Sequence, residues 1–369
     1  MDIKRTAPAP APVTPETRSK TIIIGISGPS SSGKTTLARL LQRIFGHLDD
    51  LPSVTEEAQA QAQAPAPALR SFLVHEDDFY HPDDKIPTIT LENGTTLQNW
   101  DTASALDLGL LSASLHYIKA QGHLPPRLHS KEDQNEVMGD ADAGVPGHLV
   151  GELRRAEVGN ATCSSGTKTG TGTTIAFVEG FLLFAPPPGG SAESAGHPLR
   201  EVHERFDGRL FLPAAYEMVK ARRERRSGYV TIGAAPVPQG NTQGEGENGE
   251  KEEEEEEEED NQTEIDLEAE DDRPPQNFWT DPPGYVDDIV WPNYVKDHAW
   301  LLLPEDESED DDRLLMETDP HELVRLAGQA TRVRMDAGVT VAPGRGSEPM
   351  SKILKWAVEE VLKLLEEVA

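Results

Sequence analysis

Apolar positions along the chain fall into short blocks whose period switches between strand and helix. Residues 21–26, TIIIGI, form a continuous β-branched run of the kind found in a buried parallel strand. From 34 to 45 the spacing of Leu37, Leu40, Leu41, Ile44 and Phe45 predicts a helix. A second strand is read at 71–75, running into EDDFY, and a helix at 102–120 through Leu106, Leu110, Leu115 and Ile118. TTIAFVEG at 173–180 is a third strand, apolar up to Glu179, and DGRLFL at 207–212 a fourth. Residues 214–226 read as a basic helix, WPNYVKDHAW as helical after its proline, and WLLL as a short strand. The final helix, 350–368, collects Ile353, Leu354, Ala357, Val361, Leu364, Leu365 and Val368 on one face. Strands alternating with helices predict an α/β fold, a parallel sheet flanked by helices.

Between these blocks lie stretches without period. Residues 1–19 are a Pro/Ala-rich leader with no apolar core, unlike a secretory signal. Low-complexity or disordered insertions are expected at about 49–68, 121–172, 231–277 and 304–349, all within one domain spanning 20–369. The formal charge of -32 belongs mostly to two of them. Residues 245–272 hold 18 Asp or Glu against Lys251 alone, and EDESEDDD at 305–312 adds seven more. The acidity therefore describes loops, either solvated or offered to basic partners, and says little about a ligand of the fold. It argues against nucleic acid as a partner, because phosphate backbones are met by basic stripes. Cys163 is the only cysteine, so no intrachain disulfide forms, which suits a reducing compartment. No apolar run reaches the roughly 18–20 residues that span a bilayer. The expected location is the cytoplasm, with the nucleus also open.

Candidate chemistry begins at GPSSSGKT, residues 28–35, set between the first strand and the first helix. It fits the phosphate cradle G-x-x-x-x-G-K-[ST] at every fixed position. Gly28 and Gly33 let backbone N–H groups aim inward, and the helix N-terminus adds positive potential. Lys34 reaches outer phosphates and the Thr35 hydroxyl suits Mg²⁺. Gly28, Ser31, Ser32, Gly33, Lys34, Thr35 and Thr36, with Arg226 further on, make the candidate nucleotide site. No N-K-x-D signature for guanine and no second NTPase cassette is present, which leaves a small-molecule kinase as the best reading.

In an open parallel sheet ligands bind beyond the carboxyl ends of the strands. Strand two ends in HEDDFY and strand three in VEG, so both deliver carboxylates toward the cradle. Asp77 is the candidate general base, and Glu179 is placed to order Mg²⁺ or its waters. The basic helix offers Arg223 and Arg226 at i and i+3, suited to a lid over the transferring phosphate. Trp100-Asp101 is ambiguous from the residues alone. A buried Trp followed by a helix N-cap explains it better than a ligand contact does.

Taken together, GISGPSSSGKTTLA, HEDDFY, NWDTASALDL, VEGFLLF, KARRERRSGYV and DPPGYVDDIVWPNYVKDH resemble the nicotinamide riboside kinases, its fungal members in particular. These are related to uridine kinases among the P-loop nucleoside kinases. The resemblance implies phosphorylation of the riboside 5′-hydroxyl by ATP and Mg²⁺, giving nicotinamide mononucleotide in NAD biosynthesis, with nicotinic acid riboside as a second substrate. It implies Asp77 as base toward the 5′-hydroxyl, with Thr35 and Glu179 serving the metal. It implies Trp100, with Tyr80 nearby, and Tyr229 against the pyridine, Asp101 and Arg223 at the ribose diol, and Asp281 at the substrate's far end. Glu76 stands where the family more usually has Gln. Two other readings compete: a uridine- or cytidine-type nucleoside kinase, and an inactive nucleotide-binding scaffold working through its acidic tract.

Overall fold

The computed structural model describes residues 20–46, 69–128, 144–155, 172–188, 196–234, 276–305 and 319–368, with 130 and 267 singly. The leader, the 49–68 stretch and most of the acidic tract lie outside these residues.

Among the described residues, five parallel strands form the central sheet in the order β2-β5-β1-β6-β9. They are β1 (Lys20–Ser27), β2 (Leu69–His75), β5 (Thr173–Gly180), β6 (Gly208–Phe211) and β9 (Thr340–Val341). The pleat sorts β1 by parity. Ile22, Ile24 and Ile26 pack with α1 (Lys34–Phe45) and α8 (Met350–Val368), while Ile23 packs with α2 (Leu108–Gln121), α6 (Trp291–His298) and α7 (Pro320–Ala327). Both faces are covered, which is why the strands read as unbroken apolar runs. Each fully buried Ile or Leu of these layers contributes about 1.5–3 kcal/mol.

Two antiparallel ribbons stand outside the sheet. β3 (Thr88–Thr90) pairs with β4 (Thr96–Gln98), and β7 (Tyr229–Ile232) with β8 (Gln276–Trp279). The remaining α-helices among the described residues are α3 (Gly147–Leu153), α4 (Arg200–Glu204) and α5 (Tyr216–Arg223). No helix among the described residues is long and apolar enough to cross a membrane.

Several expectations need correction. The 121–172 stretch contains α3, which packs on α1 and α8; Leu149 and Val150 are buried, Val150 in the core layer shared with those helices. The 304–349 stretch contains α7, where Asp319 caps the N–H groups of His321 and Glu322, and the edge strand β9, which pairs with β6. The 231–277 stretch begins and ends inside the β7–β8 ribbon, so its two ends are neighbours. WLLL is not a sheet strand: Leu301 and Leu302 are buried core residues, and only Leu302 makes a bridge, to Val333. α5 stops at Arg223, leaving Arg226 in the following turn with its N–H on the Arg223 carbonyl. The N-cap of α2 is Asp107, which accepts from Leu110 N at 2.8 Å, so Asp101 is not used as a cap.

Candidate active site

The cradle closes at the carboxyl end of β1, the central strand. Gly28 has φ +152°, and a Cβ there would lie 2.3 Å from the Leu212 carbonyl oxygen, which only glycine avoids. Gly33 enters α1 at φ +101°. Lys34 Nζ donates to the Pro29 carbonyl at 2.9 Å, and burial lowers its pKa against the pull of Glu179 and Asp77. The Ser31 and Ser32 hydroxyls are buried with no partner among the described residues, which is the state expected of groups awaiting phosphate oxygens. Arg222, not singled out by sequence, donates to the Ser31 carbonyl at 3.1 Å.

Register brings the carboxylates in. His75 of β2 and Ile26 of β1 both stand level with Glu179 of β5. Glu179 Oε1 accepts from Thr35 Oγ1 at 3.0 Å and lies 2.7 Å from His75 Nδ1. Burial works to raise the Glu179 pKa, but the His75 bond and charge, Lys34 and Thr35 outweigh it and hold the carboxyl below its ordinary value. The tight turn Glu76–Phe79 follows β2. In it Asp77 faces the cleft, while Asp78 is buried away from it. Glu76 is wholly buried and its Oε2 accepts from Phe181 N at 2.6 Å and Leu182 N at 3.0 Å. Burial above all, with the neighbouring Asp77 charge, pushes its pKa up to about 8.

Across the cleft, Arg223 makes two parallel bonds to Asp101, 2.8 and 3.0 Å, and two to Asp281, 2.7 and 3.3 Å. Burial opposes the charge on the guanidinium, and the carboxylates outweigh it, so Arg223 stays protonated. Asp281 also accepts from Trp279 Nε1 at 3.0 Å and reaches the cleft through these two side chains instead of lining it. Arg226 lines the cleft and lies 5.2 Å over the Tyr229 ring.

An aromatic chamber completes the site. Trp100 lies edge-on to Tyr80 at 5.3 Å and tilted to Trp279 at 5.7 Å, and Tyr80 stacks on Phe181 at 6.3 Å. Trp100 is fixed from behind by Tyr285, whose hydroxyl accepts from Trp100 N and donates to the Gln98 carbonyl, both at 3.0 Å. The cleft encloses about 790 Å³, part of it open to solvent, and runs from Ser31, Lys34 and Thr35 to Trp100 and Thr231.

The structure thus gathers Ser31, Lys34, Thr35, Asp77, Tyr80, Trp100, Asp101, Glu179, Arg223, Arg226 and Tyr229 around one cleft. Gly28, Ser32, Gly33 and Thr36 belong to the cradle without lining it. Sequence reasoning missed Trp279, Phe181, Thr231 and His75. Trp279 and Phe181 had a local signal, an aromatic beside Asp281 and beside Glu179. Thr231 and His75 had none, since only strand pairing places them.

Comparison with known proteins agrees with the motifs. No family model matches the chain. A nicotinamide riboside kinase from Schizosaccharomyces pombe is 28% identical over 94% of this chain and 99% of its own length. One from Eremothecium gossypii is 26% identical over 76% of this chain and 78% of its own. One from Saccharomyces cerevisiae is 24% identical over 95% of this chain and the whole of its own. Cradle, cleft and relatives converge: this chain resembles the fungal nicotinamide riboside kinases along nearly its whole length.

Proposed function

We propose that the protein transfers the γ-phosphate of ATP to the 5′-hydroxyl of nicotinamide riboside, and of nicotinic acid riboside, forming the mononucleotides used in NAD biosynthesis. The observation that carries this reading is one continuous cleft with a phosphate cradle at one end, an aromatic chamber at the other, and Asp77 between them. A pyridinium cation held by aromatic faces is stabilised by roughly 0.5–2 kcal/mol. Trp100 and Trp279 supply such faces, and Trp279 suits the role given to Tyr229 from the motif. The ribose diol donates to Asp101, whose carboxylate keeps lone pairs beyond those used by Arg223.

Mg²⁺ fits the residues present. No cluster of three or more His, Cys, Asp or Glu among the described residues could hold a metal by itself. Mg²⁺ in phosphoryl-transfer sites is held by one or two protein oxygens together with phosphate and water, which Thr35 and Glu179 would provide. The ion would neutralise charge on the phosphate oxygens. Asp77 accepts the 5′-hydroxyl proton as that oxygen bonds the γ-phosphorus and the bond to the departing diphosphate opens. Lys34 and Arg226 meet the charge on the transferred group.

The test is a phosphorylation assay with Mg·ATP and four acceptors side by side: nicotinamide riboside, nicotinic acid riboside, uridine and cytidine, read by product mass. Nicotinamide mononucleotide as the favoured product is expected. Preferred uridine phosphorylation would overturn the acceptor assignment and leave a nucleoside kinase. ATP binding without any product would make the chain a scaffold.

A further inference from the structure

Polar atoms in the aromatic chamber remain without partners. The hydroxyls of Tyr229 and Thr231 are both buried and make no hydrogen bond among the described residues. They stand two apart on β7 and so on one face of the ribbon, and both residues line the cleft. Thr231 is 7% exposed. Buried hydroxyls left unpaired cost stability, so a native site keeps them for something that arrives. Opposite Tyr229 in the ladder is Trp279, one wall of the chamber, so Tyr229 and Thr231 share a face of the ribbon with it.

A ribosylated pyridinium ring has a quaternary nitrogen with no lone pair and no proton. Its carboxamide is therefore the only hydrogen-bonding group on the base, with one carbonyl acceptor and an amide donor pair. Two hydroxyls, each able to donate and to accept, match that group. We infer that Tyr229 Oη and Thr231 Oγ1 bind the carboxamide, or the carboxylate of the acid riboside, and make Thr231 a specificity residue. This rests on the acceptor being a pyridine riboside, as proposed above. It moves Tyr229 from ring stacking to recognition of the ring's substituent.

The experiment compares wild type with Thr231→Val and Tyr229→Phe, each nearly isosteric, on nicotinamide riboside and on N-ribosylpyridinium, which lacks the carboxamide. Thr231→Ser is the rescue variant. Each hydroxyl deletion should raise the KM for nicotinamide riboside by about three- to tenfold, in line with one neutral hydrogen bond. The KM for N-ribosylpyridinium should not separate the variants from wild type, and Thr231→Ser should restore most of the loss. An equal rise with both substrates would make the hydroxyls structural, and no rise with nicotinamide riboside would remove them from recognition; either overturns the inference. Wild-type protein that leaves both pyridine ribosides untouched but phosphorylates uridine would bring down the acceptor assignment itself, a result distinct from the other two.

Discussion

Arg223 and Asp101 meet through two parallel hydrogen bonds of 2.8 and 3.0 Å although 122 residues separate them in the chain. Both are almost fully buried, and Asp281 braces the arginine from its other edge. A planar fork is required to serve two carboxylates at once. Arg223→Lys keeps the charge and loses the fork, so kcat/KM for the riboside should fall on the order of 10- to 100-fold. Steady-state kinetics beside a melting curve check this. Wild-type kinetics in that variant would make the pair an architectural feature only.

Asp77 faces the cleft without belonging to the buried core of its turn. Asp77→Asn should lower kcat by about 10²–10⁴-fold, the range of a lost general base, while calorimetry finds ATP binding unaltered. Retained turnover would assign proton removal elsewhere.

Trp279 lines the cleft beside Trp100, an aromatic that sequence reasoning did not name. Truncation to Ala should raise the riboside KM by roughly tenfold or more and leave the ATP dissociation constant within experimental error. Parallel losses for both ligands would point to a disturbed β7–β8 ribbon instead of a missing face.

Glu76 makes stability depend on pH. Burial holds its folded-state pKa at about 8, above the ordinary value of 4.5. Between those values the folded state binds more protons than the unfolded one, so stability falls as pH rises, and the loss is complete above the folded pKa. Glu76→Gln removes the titrating proton. Urea denaturation from pH 5 to 8.5 should find the variant's profile flatter than wild type, by an amount on the order of a few kcal/mol at most. Parallel profiles would mean that Glu76 titrates normally.

Much of the fold was legible because its signals are local. A β-branched run, a glycine-bounded cradle and a helical stripe lie within a dozen residues of one another, and α1 and α8 begin and end where their periods do. The positions of Asp77, Glu179 and Lys34 were legible for the same reason: Asp77 and Glu179 sit in the turn after a strand or at its carboxyl end, and Lys34 opens the helix after the cradle. Where composition masked a short element, as in α3 and β9, the local signal was too brief to outweigh Gly- and Asp-rich surroundings.

What the sequence by itself determined was the class of fold, the phosphate cradle and the inventory of acids, arginines and aromatics. Tertiary structure decided which of them meet. Register set His75 beside Glu179, and an antiparallel ribbon joined Tyr229 to Trp279 across residues 233–275. Strand pairing depends on hydrogen bonds between segments far apart in the chain, and no local pattern of residues records them. The same limit explains Asp101: whether an Asp ahead of a helix caps it or holds an arginine depends on what else packs there. Here Asp107 satisfies the helix, and Asp101 is left to Arg223.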